Sequence, residues 1–112
     1  MPMYLVKFTH TPETWTKMLA EPEDRRETLA PIFEAAGGKL HGLWYAFGDA
    51  DGYVFGELPD ATTAASTLVK VAASGACATL STTVLLTVEE MLEALRQSAS
   101  IGYRAPGAST AS

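Results

Sequence analysis

The chain has 112 residues, of which 47% are hydrophobic and 19% charged, and its formal net charge is −5. That apolar content suits one ordinary domain with a buried core, and it argues against a disordered chain. The eight Lys and Arg are scattered and the only adjacent basic pair, Arg25-Arg26, is flanked by Asp24 and Glu27, so no basic stripe is available for nucleic acid or an anionic membrane.

Residues 4–8, with Tyr, Leu, Val and Phe, read as a first strand. Thr11-Pro12-Glu13 opens a short helix: Thr caps it, Pro suits the first helical position and Glu suits the positive end of the dipole. Trp15, Met18 and Leu19 fall on one face of that helix. Glu21-Pro22-Glu23 restarts a second helix, with Leu29, Ile32, Phe33 and Ala36 as its apolar stripe. Pro31 removes a backbone donor there, so a kink or break is expected near Glu27. Gly37-Gly38 ends the helix.

Residues 40–47 and 52–58 read as strands joined by Gly48-Asp49-Ala50-Asp51, a polar hairpin connection. Asp60 caps an alanine-rich helix over about residues 61–73, which Gly75 breaks. Residues 79–86 are a β-branched fourth strand. Thr87-Val88-Glu89-Glu90 is a capping box for a last helix carrying Val88, Met91, Leu92 and Leu95 on one face. The order predicts an α+β, ferredoxin-like βαββαβ domain over residues 1–100, with an extra C-terminal helix. Residues 101–112 are expected to form a flexible tail, with 108–112 disordered. Tyr103-Arg104 either folds back over a cavity mouth or frays.

Strand alternation places Val6, Phe8, Trp44, Val54, Leu80 and Val84 toward the helices. The opposite phase is Lys7, Thr9, His41, Tyr45, Tyr53, Glu57, Ser81 and Thr83, a mixed polar and aromatic face. Two such sheets are expected to pair face to face as a homodimer around a small cavity, with a higher oligomer left open. One slip of register would flip a strand's residues.

The single cysteine, Cys77, excludes an internal disulfide and a thiolate cluster. The first residues lack a secretory pattern, and no apolar run approaches the ~18–20 residues that span a bilayer. A cytoplasmic protein without membrane partners is the expectation.

Several stretches together resemble the GYD-domain family, small bacterial proteins of the dimeric α+β barrel superfamily. They are Thr11-Pro12-Glu13-Thr14-Trp15, Pro22-Glu23-Asp24-Arg25-Arg26-Glu27, Gly37-Gly38-Lys39-Leu40, Trp44-Tyr45-Ala46-Phe47-Gly48, Glu57-Leu58-Pro59-Asp60 and the run from Thr82 to Glu90. The resemblance implies a Gly-Tyr-Asp signature in the hairpin. Gly48 and Asp51 fit it, but Ala50 stands at the tyrosine position. The superfamily includes enzymes and plain binding modules, so the fold leaves function open.

The residues themselves offer a short list. His41, mid-strand, is either a proton carrier near neutral pH or a histidine satisfied in an interface. Asp51 either orients an imidazole or acts as a base, or it bonds backbone amides in the hairpin. Tyr45 and Tyr53 suit a small-molecule pocket or a dimer core. Lys7 and Glu57 line the same face or pair as ions. Trp15 covers one end of the sheet, and His10 reads as a loop histidine. Cys77 reads as a buried, inert thiol. No spacing motif for a metal, phosphate or dinucleotide is present, and no cofactor is expected. Two functions remain open. One is a cofactor-independent enzyme moving a proton on a small, partly apolar molecule, with His41, Tyr45 and Asp51 as catalysts and Lys7, Trp15, Tyr53 and Glu57 around the substrate. The other is a non-catalytic ligand-binding or accessory dimer.

Overall fold

A computed structural model describes residues 1–107. The segment 108–112, expected to be disordered, lies outside the described residues. The elements are β1 (Met3–His10), α1 (Pro12–Ala20), α2 (Arg26–Ala35), β2 (Lys39–Tyr45), β3 (Gly52–Glu57), α3 (Ala61–Ala73), β4 (Cys77–Leu85) and α4 (Val88–Ser98). The four strands form one antiparallel sheet in the order β2-β3-β1-β4. This is the ferredoxin-like arrangement, with two helical crossovers and one hairpin.

The local signals act as expected at three helix starts. The Thr11 side chain accepts from the Thr14 amide at 3.2 Å, and Asp60 accepts from Thr63 at 2.8 Å. Thr87 and Glu90 complete a reciprocal capping box. Gly37, at φ +89°, supplies the left-handed residue that ends α2.

The second helix starts later than expected. It opens at Arg26 rather than near Glu21, and Pro31 sits inside it. The Asp24 carboxylate accepts from the Arg26 amide at 3.0 Å and from its guanidinium at 2.7 Å, which fixes the start there. Pro31 leaves the carbonyl four residues back, at Glu27, without its helical donor.

The core lies between the sheet and the helices. Tyr4, Val6, Phe8, Phe33, Val54, Leu58 and Ala64 form its buried cluster. Gly56 makes room for Phe33: an added Cβ would lie 2.6 Å from that ring and 2.8 Å from the Lys39 carbonyl. Elsewhere the helices stand off the sheet, for α1 has no buried residue and α3 has only Ala64. Leu19, grouped with Trp15 and Met18 on one helix face from spacing, is exposed, and so is Val84, which was expected to face the helices. Tyr103 is also exposed and does not border the cavity between sheet and helices. No helix among the described residues is long and apolar enough to cross a membrane.

Candidate functional site

The decisive local event is a β-bulge. Leu40 pairs with Gly56 and Gly42 with Phe55, so His41 is an extra residue on β2. Beyond it the phase of β2 inverts. Trp44, expected to face the helices, pairs with Tyr53 and lies on the open face. Tyr45, expected beside His41 on the open face, pairs with Gly52 and turns to the helix side. The expected grouping of His41 with Tyr45 is thereby corrected. Gly42 was the available signal, because an isolated glycine in a strand marks a bulge or a close approach. An added Cβ there would lie 2.4 Å from the Trp44 ring.

The open face carries two separate polar pairs. His41 Nε2 lies 2.7 Å from Glu57 Oε1, and the His41 ring rests 5.5 Å from the Phe55 ring. With its proton on Nε2, the imidazole donates to the carboxylate and leaves Nδ1 as an acceptor. Lys7 Nζ donates to Asp49 Oδ2 at 2.9 Å. That hydrogen bond raises the Lys7 pKa and holds the Asp49 carboxyl below its usual value. An ion pair between Lys7 and Glu57 was the alternative expectation; each instead takes a different partner. Tyr53 stands opposite Lys7 in the β1–β3 register, and Leu5 opposite Phe55.

The helix side holds a different group. Between sheet and helices lies a cavity of about 970 Å³, bordered by apolar side chains such as Val6, Leu29, Phe33, Leu43, Val54 and Leu80. An aromatic cluster closes one end. His10 packs edge-on against Trp15, with centroids 4.9 Å apart, and lies 5.0 Å from Phe8. Tyr45 lies 6.1–6.3 Å from Phe8, His10 and Trp15. Cys77 is paired with His10 across β1 and β4 and borders the same cavity.

His10 has both ring nitrogens buried, and neither has a hydrogen-bond partner among the described residues. The nearby Ala76 carbonyl is already used, accepting from the Thr11 amide at 3.2 Å and from Thr14 Oγ1 at 2.8 Å. Burial pushes His10 below the ordinary histidine value, with the Ala76 carbonyl and the Asp51 carboxylate opposing it only in part. Burial likewise pushes the Tyr45 hydroxyl and the Cys77 thiol up.

Asp51 fastens this end. Its Oδ2 accepts from the His10 amide at 2.8 Å and from Trp15 Nε1 at 3.4 Å, tying the hairpin to β1 and α1. Neighbouring Ala50 is 2% exposed. Of the seven residues singled out from sequence, His41, Glu57, Lys7 and Tyr53 share the open face. Tyr45 and Trp15 meet on the helix side, where Asp51 binds the indole. Sequence reading missed His10 and Cys77 as cavity residues. The signal for His10 was the alternation Tyr4, Val6, Phe8, His10, which continues the inward phase one step past the expected strand end.

No group of three or more His, Cys, Asp or Glu among the described residues is placed to hold a metal ion. The family model described as the GYD domain matches residues 4–95, from β1 into α4. No curated protein matches the chain.

Proposed function

The chain belongs to the GYD-domain family, and we propose that it is a dimeric binding module holding a small, partly apolar molecule in the helix-side cavity of each copy. The observation that carries this reading is the cavity itself. Its volume of about 970 Å³ falls in the range of small-molecule sites, and apolar walls interrupted by polar side chains are their usual composition. His10 and Tyr45 supply flat surfaces and a neutral imidazole to the cavity, with Trp15 packed against both rings. Dimerisation through the open face is supported by Leu5, Phe55 and Trp44, which leave an apolar strip beside the His41–Glu57 and Lys7–Asp49 pairs.

A test uses 2-naphthol, a flat apolar probe with one hydroxyl, and the native thiol of Cys77. Saturating probe should slow alkylation of Cys77 severalfold in the folded protein. An unchanged alkylation rate under saturating probe, or no saturable binding, contradicts the reading.

A second reading is favoured by one contact. His41 with Glu57 at 2.7 Å is a base with an orienting carboxylate, an arrangement suited to proton transfer in a cavity between paired sheets. Tyr45 and Asp51 have no part in it, since neither reaches the open face. His41→Gln should abolish turnover of any substrate found while leaving the dimer intact; undiminished turnover would end this reading.

A further inference from the structure

Among the described residues the last helix has no extensive contact with another element of its chain. Val88, Met91, Leu92 and Leu95 are 71%, 47%, 45% and 54% exposed, although they form one i, i+3, i+4, i+7 stripe. The helix is well capped, but with 11 residues it is below the ~12–15 that persist alone in water. The described chain is 65 Å long with a radius of gyration of 18.8 Å, against about 13 Å for a compact chain of roughly this size. An unpacked helix on an elongated chain requires a surface to lie on.

The charges beside the stripe indicate which. At about 100° per residue, Glu89 and Arg96 fall on the same edge of the seam, seven residues apart. The opposite edge carries Ala94 and Ser98, and Glu90 and Glu93 lie at the back. When two copies pack antiparallel about a two-fold axis, like edges face each other. Glu89 then meets Arg96 of the partner subunit, and Arg96 meets Glu89 of the partner subunit. A parallel pair would set that edge against Ala94 and Ser98 and form neither contact. The helix-side cavity is a poorer receptor for α4. The charges around it, Glu13, Glu21 and Glu23 against Lys17, Arg25 and Lys70, cancel, and so offer no attraction to an acidic helix.

We infer that α4 is a self-docking helix, packing antiparallel on α4 of a second copy through Val88, Met91, Leu92 and Leu95 with reciprocal Glu89–Arg96 pairs. The opposed N-terminal acids and C-terminal arginines also complement the two helix dipoles. Arg96 reaches Glu93 of its own helix at 3.3 Å, an exposed contact that is readily exchanged. Two helices of this length bury less than the ~800 Å² per partner of a stable dimer. The pair therefore adds to another contact between copies rather than replacing it. It goes beyond the cavity reading and uses none of the same residues.

The test is disulfide mapping in the full chain with Cys77→Ser. The two-fold axis falls between Met91 and Leu92. Met91→Cys and Leu92→Cys should each cross-link to themselves on mild oxidation. Val88→Cys alone and Leu95→Cys alone should cross-link severalfold less, whereas their mixture should give the 88–95 heterodimer. Glu89→Arg should lower the Leu92→Cys yield, and adding Arg96→Glu should restore it. Self-linking at residue 88 together with residue 95 would show a parallel pair and overturn the inference. Absence of cross-links at all four positions, with circular dichroism unchanged, would also overturn it by showing that α4 docks elsewhere or remains free.

Discussion

The two sides of one sheet satisfy their polar groups in different ways. On the open face two polar pairs form within the chain: His41 with Glu57, Lys7 with Asp49. On the helix side the His10 nitrogens are buried and unpaired, held among Phe8, Trp15 and Tyr45. Leaving a buried polar group unpaired costs about 1–3 kcal/mol. Polar groups paired in this way cost less to cover with protein than free ones. A pocket that leaves a donor and an acceptor open is suited to a ligand, because the ligand recovers what folding gave up.

The largest expected effect that separates the two sides is on the core. Phe33→Ala on the helix side should cost about 3–5 kcal/mol in denaturant unfolding, as truncations of buried Phe do. Phe55→Ala on the open face should cost clearly less in the dilute monomer and should instead weaken self-association, seen by analytical ultracentrifugation. Equal losses in the monomer would erase the distinction between the faces.

Next in size is the Asp51 latch. Asp51→Ala leaves the His10 amide without its acceptor and should cost about 1–3 kcal/mol. Asp51→Asn keeps an acceptor oxygen and should recover most of that. A catalytic carboxylate would show the reverse pattern, with near-native stability and lost activity in the Asn variant.

A smaller effect depends on pH. Burial lowers the His10 pKa in the folded state, so the unfolded chain binds more protons once pH falls below about 6.5. Its contribution to stability is complete above that pH. It declines as pH falls from about 6.5 toward the lowered folded value. His10→Phe should flatten this part of the stability–pH curve, measured by urea unfolding across pH 7 to 5. A slope unchanged in that variant would mean that His10 is not the buried group responsible.

Much of the fold was legible because its signals are local. Thr11-Pro12, Asp60 and Thr87 with Glu90 each act within one turn, and caps need no distant partner. The bulge at His41 was not, because a bulge exists only relative to the neighbouring strand. Leu40 and Leu43, three apart yet both turned inward, are its trace, with Gly42 between them. The start of α2 was misplaced for a similar reason. Glu21-Pro22-Glu23 looks like a helix opening, but the Asp24 carboxylate bonds to the Arg26 amide and guanidinium and moves the start on. The site followed the same division. His41 was placed on the correct face, and Tyr45 was lost to the other side once β2 changed phase. His10 became visible only when β1 ran to its full length.

The two tryptophans make the central claim directly measurable, since Trp15 packs edge-on against the cavity residue His10 on the helix side and Trp44 lies on the open face. Their indole N–H resonances can be followed by NMR during a titration with 2-naphthol. The helix-side site requires the Trp15 signal to shift to saturation while Trp44 stays in place. A saturable shift of Trp44 alone, or no shift of either, would contradict it.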